Sequence, residues 1–466
     1  MNRFFVVSLS LFLLANLSFA QTRLPALFSD NMVLQQNEMV AVWGIDHPHT
    51  SITVSGSWGK TAKVISDDSG HWKLKLQTPA AGGPYTVSVA GSKKLSFQNV
   101  LIGEVWFCSG QSNMEMPVKG YASQPVIGSN ETILNSSNDQ IRFLNTPRAV
   151  SIVPLDDVKG EWKAAAPGTT GNFSATAYFF ARKLQTVLGV PIGIIQSAWG
   201  ASTIESWMDK QTLSAFGNKT IPEKIPDSFP NRTPTILYNS ILHPYIGFTI
   251  KGVLWYQGES NRENANEYQS LFTSLINSWR EQWQQCDFPF YFVQIAPFEP
   301  GKVNAAFLRE AQLKTMQTVK NTGMAVTMDI GEQKVIHPSQ KETVGNRLAY
   351  WALVKDYGFR GVAYSGPVYR SMQNTANGRI ILTFDYTEQG LVSFGKPLTD
   401  FEIAGEDKVF YPAEAVFTKD KSASITVWSE KVKNPVSVRY AFKSWAQGSL
   451  FNSQGLPASS FRTDNW

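Results

Sequence analysis

The chain has 466 residues, of which 12% are aromatic and 17% charged, with 14 Trp, two Cys and a formal charge of +5 from 42 basic and 37 acidic side chains. That is enough chain for two or three domains around a large core, and the aromatic-rich, charge-poor composition fits a β-rich, carbohydrate-facing secreted protein rather than a disordered one. No basic run concentrates the charge, which argues against nucleic acid as a partner, and two cysteines without an HExxH motif argue against a zinc site of the usual kind.

Taken in order, the chain opens with Asn2-Arg3, an apolar run over 4–17 and Ser18-Phe19-Ala20. This pattern predicts a signal peptide over 1–20, cleaved before Gln21. The run is short for a spanning helix, no later segment is long and apolar enough, and no cysteine follows the cleavage site for a lipid anchor. The expected product is exported, periplasmic or secreted, with no membrane span.

Residues 21–100 alternate apolar and polar positions in short runs at 39–43, 51–54, 72–76 and 85–89, separated by turn residues, which predicts an N-terminal β-sandwich. From 101 to 360 the pattern changes. Strand-like apolar runs at 105–108, 190–197, 250–256 and 289–294 alternate with helical spacing at 178–188, 268–283, 305–319 and 341–354. Alternating units of this kind predict an α/β domain, a parallel sheet between helices, with ligands beyond the carboxyl ends of the strands. From 361 to 466 strand patterning returns at 379–384, 423–428 and 436–440, a C-terminal β region. Export permits a disulfide, but Cys108 lies on the first α/β strand, and it and Cys286 are expected as free, buried thiols in preference to a bridge.

The run at 105–108 stops at Ser109-Gly110, and Ser112 follows among small and polar residues. A serine presented at the end of a buried strand is a candidate nucleophile if a base and an oxyanion site exist. Of five histidines, His47, His49 and His71 fall in the expected sandwich. His337, on a loop before a helix and followed by Pro338, is the preferred base over His243, which sits in an apolar stretch and is expected to be packed. Oxyanion donors are sought at the Ser112 amide, at Gly200, and in the cluster Gln257-Gly258-Glu259-Ser260-Asn261 with its carboxamides. Each signal is weak alone; their coincidence at three strand ends is not. Position 114 is Met, so the G-x-S-x-G elbow of ordinary α/β-hydrolases is absent.

These blocks carry a resemblance. Gly103-Glu104-Val105-Trp106 running into Gly110-Gln111-Ser112-Asn113-Met114, Trp199-Gly200, Trp255 to Asn261, and Ile336-His337-Pro338 with Lys341 and Gly345 to Ala349 resemble, in order, the blocks of the sialate O-acetylesterase family of SGNH-type hydrolases. The flanks, Asn31 to Gln36 and Gly455-Leu456-Pro457-Ala458, resemble it too. The resemblance implies a flavodoxin-like core and hydrolysis of O-acetyl esters on sugars, with 9-O-acetylated sialic acid the favoured substrate. It further implies Ser112 as nucleophile, His337 as base, and the Ser112 and Gly200 amides with the Gln257 side chain as oxyanion donors. An acetyl-enzyme follows, with no metal or organic cofactor. Asn113, Trp199, Asn261 and Arg262 are candidate substrate contacts, Trp207 and Tyr256 further stacking candidates, and Arg262 or Arg232 a cation for a sugar carboxylate.

One position departs from the pattern. Relatives of this fold carry Asp three residues before the histidine; here it is Lys334. Three readings follow: the Lys334 carbonyl accepts the imidazole Nδ1 proton in a Ser-His dyad, a displaced carboxylate does so (Glu259 first, with Asp329 and Glu332 nearby), or the enzyme is impaired. The rival substrate is acetylated xylan or another polysaccharide; the rival class is a non-catalytic glycan-binding protein on a degenerate hydrolase core.

Overall fold

The computed structural model describes residues 21–299, 301–419 and 423–466; the expected leader at 1–20 lies outside them. The central element is strand β1 (Lys94–Gly110). Its first half pairs with Gly82–Ala90 of the N-terminal sheet, and its second half is the middle of the α/β sheet. The composition changes near residue 100, but the backbone does not break there, because one long strand serves both sheets.

The α/β sheet adds β2 (Asn138–Asn145), β3 (Trp162–Ala165), β4 (Ile192–Ala198), β5 (Gly252–Tyr256), β6 (Phe290–Val293) and β7 (Thr322–Ala325). Their order is β7-β6-β5-β1-β4-β2-β3, parallel except for β3 at the edge. After β1 the chain builds one side of the sheet, then crosses to build the other. The carboxyl ends of β1, β4 and β5 therefore flank the switch point, where such sheets open a crevice.

Both faces are covered, which explains the continuous apolar runs. Val105, Phe107, Val253, Trp255, Phe290 and Phe292 point to one face, beneath α3 (Ala265–Trp283) and α4 (Ala306–Thr318). Their neighbours Trp106, Cys108, Leu254, Tyr256, Tyr291 and Val293 point to the other, beneath α2 (Ala175–Leu188) and α5 (Lys341–Lys355). The short helix α1 (Ser112–Glu115) follows β1 directly.

In the N-terminal region Ser51–Gly56 pairs with Lys60–Ile65 and Gly82–Ala90, while Met39–Ile45 pairs with His71–Gln77. The C-terminal region holds two four-stranded antiparallel sheets. It is pinned to α4 by Arg309, fully buried, whose guanidinium donates to the carbonyls of Ala441 and Lys443 and to Ser460 Oγ. Both cysteines are free, but only Cys108 is buried; Cys286 is exposed, because it lies past the end of α3 in a surface turn. Among the described residues no helix is long and apolar enough to cross a membrane.

Candidate active site

Gly110 ends β1 with φ +135°, and a Cβ there would lie 2.2 Å from the Tyr256 carbonyl oxygen. Only glycine lets the chain leave the sheet so sharply, and the turn presents Ser112 on α1 at the rim of the crevice. His337 arrives from the loop between β7 and α5, and its Nε2 lies 2.7 Å from Ser112 Oγ. His243 is remote from this pair, its Nδ1 2.8 Å from the Leu155 carbonyl.

The group on the other imidazole nitrogen is Gln124. Its Oε1 lies 2.5 Å from His337 Nδ1. A carboxamide oxygen only accepts, so Nδ1 carries the proton and Nε2 is left as the bare acceptor facing the serine. Gln124 closes a tight turn with Tyr121, each backbone amide donating to the other's carbonyl at 3.0 Å. Ile127 N–H then donates to the Ser339 carbonyl at 3.0 Å, docking this loop on the histidine loop. The Tyr121 ring meets His337 edge-on at 5.3 Å and its hydroxyl donates to the Ser112 carbonyl. Burial, reinforced by the Lys341 ammonium, holds the imidazole down to a pKa of about 4. At neutral pH it is uncharged and able to take a proton.

None of the expected orienting groups reaches the imidazole. The Lys334 side chain pairs with Glu299 at the surface, and its carbonyl makes no bond to His337. Asp329 is held by two bonds of 2.7 Å from Arg347, and Glu332 accepts from Ser339 N–H, bracing the histidine loop. Glu259 Oε1 accepts from Asn113 Nδ2 at 2.6 Å. Asn113 also donates to the Ile336 carbonyl and accepts from the fully buried Lys341 ammonium, so it is scaffolding rather than a substrate contact. Burial lowers the Lys341 pKa to about 7, against the opposing pull of Glu259 and Glu332, and raises that of Glu259. This network ties together the ends of β1 and β5 and the histidine loop.

The expected oxyanion donors divide. Gly200 follows β4, and a Cβ on it would lie 3.3 Å from Ser112 Cβ, so it does stand against the nucleophile. Its N–H, however, donates to Glu115 Oε2 at 2.7 Å, while Arg148 Nε and Nη2 donate to Oε1 at 2.8 and 2.7 Å. A substrate carbonyl must displace Glu115 to use that amide. Glu115 was findable: it sits three residues after Ser112 on a helix, hence on the same side.

Gln257 is not at the site. It is fully buried, with Nε2 donating to the Ser202 carbonyl and Asn261 Oδ1 and Oε1 accepting from the Tyr268 hydroxyl. Asn261 is spent in the same network, bonded also to Ile204 N–H and Glu205. Trp207 and Tyr256 are fully buried and cannot stack on a sugar. We expect Gln257→Ala to lower unfolding stability by about 1–3 kcal/mol, the cost of orphaned buried partners, read as a shifted urea midpoint. The folded fraction should keep kcat within tenfold. A kcat loss of about 10²-fold at an unchanged midpoint would return Gln257 to the oxyanion site.

A cavity of about 600 Å³ opens over the Ser112–His337 pair, walled by Trp199, Arg148, Arg232, Glu259, Ser260 and Arg262 among others. Arg148 lies over the Trp199 ring and is paired with Glu115, and Arg232 donates to the Ala201 carbonyl. The Arg262 guanidinium lies over Phe298, and Glu259 and Glu263, which line the same cavity, favour its charge against burial.

A serine hydroxyl on a neutral imidazole, at the carboxyl edge of a parallel sheet and under a polar cavity, defines a serine ester hydrolase. Residues 102–353 match the family described as carbohydrate esterase, sialic acid-specific acetylesterase. The sialate O-acetylesterase of Mus musculus is 31% identical over 90% of this chain and 89% of its own length, and that of Homo sapiens 29% over 94% and 92%. The crystal structure of a carbohydrate acetylesterase from Xanthomonas citri superposes with a TM-score of 0.87, at 38% identity, covering 96% of this chain and all of that one. The chain belongs to the sialic acid-specific acetylesterase family of carbohydrate esterases, and its activity is carbohydrate O-acetyl ester hydrolysis.

Proposed function

We propose that the protein is an exported sialate 9-O-acetylesterase acting through Ser112 and His337. The carrying observation is the 2.7 Å contact between Ser112 Oγ and the bare nitrogen of a neutral imidazole. As an acetyl ester enters, His337 Nε2 takes the hydroxyl proton and Oγ bonds to the acetyl carbon. The tetrahedral oxyanion collapses, and the imidazolium gives its proton to the departing sugar oxygen. Water, deprotonated by the same nitrogen, then attacks the acetyl carbon, and the imidazolium returns the proton to Ser112 Oγ as acetate leaves. The Ser112 amide and, once Glu115 has moved aside, the Gly200 amide are the donors for the oxyanion.

Arg262 supports the sialate reading. It is a cation in the wall of the catalytic cavity that makes no direct ion pair among the described residues, although Glu259 and Glu263 beside it favour its charge, and it is suited to the carboxylate that separates sialic acid from neutral sugars. Export rests on the leader pattern over 1–20. Acetate release from 9-O-acetylated N-acetylneuraminic acid beside acetylated xylan tests the substrate. The sialate should be preferred, and Arg262→Met should raise its KM by about 10–100-fold, the value of a lost charge-assisted bond, without changing p-nitrophenyl acetate turnover. Preference for xylan would overturn the sialate assignment. Tight glycan binding with no acetate released from any sugar would overturn catalysis.

A further inference from the structure

The catalytic cavity has a neighbour across Arg262. A second cavity of about 500 Å³ shares Arg262 and Glu263 with it as a common wall, and lies between α3 and the stretch of α4 from Phe307 to Lys314. A cavity of the first one's size is already enough for a single sugar, so the second is surplus to an acetylated monosaccharide.

Its lining has the chemistry of a sugar subsite. Phe307 is 39% exposed, yet its ring is held in place by the Arg462 guanidinium 5.0 Å above it and by the edge of Phe442 at 5.1 Å. Arg462 is itself fixed by two bonds of 3.0 Å to Glu310. A pyranose ring has one face of C–H groups and packs it against such an aromatic. Across the cavity, Asn266 and Gln269 stand three residues apart on α3, hence side by side. Neither carboxamide has a hydrogen-bond partner among the described residues. Each offers paired donors and an acceptor, the match for adjacent sugar hydroxyls. A single exposed Phe would mean nothing; here the aromatic and the free carboxamides face a cavity that adjoins the catalytic one across Arg262 and Glu263.

We propose that this groove is a second subsite, which binds the ring glycosidically joined to the acetylated sugar, so that the enzyme acts on linked glycans in preference to free acetylated monosaccharides. This rests on the sialate reading for the sugar in the first cavity.

The test compares kcat/KM for free 9-O-acetyl-N-acetylneuraminic acid with that for 9-O-acetylated sialyllactose. The linked substrate should be favoured by about tenfold, what one good contact supplies. Phe307→Ala, and independently Gln269→Ala, should remove that advantage while leaving the free sugar and p-nitrophenyl acetate unchanged. Equal kcat/KM for the two substrates in the native enzyme would overturn the subsite, as would variants that lose both substrates equally while keeping p-nitrophenyl acetate turnover. If neither sialate releases acetate, it is the sialate reading that fails, and acetylated xylose against acetylated xylotetraose then decides the subsite by the same criterion.

Discussion

Replacing Ser112 with alanine lowers ester hydrolysis by about 10⁴–10⁶-fold, the range set by removing a nucleophile from a serine site. Release of p-nitrophenol from its acetate ester and of acetate from acetylated sugars should fall together, because both reactions need the same bond to the acetyl carbon. The fold should be untouched. Among the described residues Ser112 Oγ hydrogen-bonds to His337 alone, while the α1 backbone bonds from Met116 N–H to the Ser112 carbonyl and from Glu115 N–H to the Gln111 carbonyl do not involve the side chain. His337→Ala should cost a similar factor, and the double variant little more than either, since the two groups act as a unit. Retained turnover in Ser112→Ala, with an unchanged melting transition, would remove the serine from the mechanism.

The second large effect is expected at Gln124. Its carboxamide oxygen does what an aspartate does elsewhere: it fixes the tautomer and aims the ring. It carries only a partial charge, however, so it stabilises the imidazolium less. Gln124→Ala should lower kcat/KM by about 10²–10⁴-fold, through a mis-set tautomer and a loose ring. The turn itself should survive, because Gln124 is bonded to Tyr121 through the backbone. Gln124→Glu should act through pH. In the native protein burial keeps the His337 pKa at about 4, so kcat/KM stays level from neutral pH down to that region and falls below it as the base is protonated. A carboxylate beside Nδ1–H favours the charged imidazole and raises its pKa. The acidic limb must then move to higher pH, and no other outcome fits a role through His337. A pH–rate profile of the three proteins measures this. A Gln124→Ala enzyme with the native rate and the native acidic limb would reduce the contact to packing.

The same two residues show what could be read before folding. Ser112 stands out because a buried strand must end somewhere, and small residues around a hydroxyl at that end are a local signal. His337 stands out by elimination among five histidines and by the Pro that follows it. Gln124 leaves no such trace. It is an uncharged side chain in a surface loop, and its contact with His337 spans 213 positions of chain. The carboxylates that stand near the histidine in sequence turn elsewhere: Asp329 to Arg347, Glu332 to a loop amide, and Glu259 through one oxygen to Asn113.

Block membership likewise located a neighbourhood without ranking the residues inside it. Gln257 and Asn261 lie at the right strand end, but their carboxamides turn inward to satisfy buried carbonyls and a carboxylate, while Glu259 and Arg262 of the same segment line the cavity. Trp207 and Tyr256 look no different in sequence from Trp199; only the packing of α3 and α5 on the sheet decides which of them stays in contact with solvent.

Periodicity and strand-end chemistry, both local properties of the chain, therefore pointed to the α/β core, its β-rich flanks and the serine–histidine pair, while the family came from the resemblance of four ordered blocks and both flanks. Tertiary structure alone decided what steadies the histidine, what occupies the Gly200 amide, which carboxamides are free, and that a second cavity adjoins the catalytic one at Arg262. Each of those is settled by which side chains meet across long stretches of chain and by which polar groups burial obliges to pair, and neither is written in the order of residues along any one element.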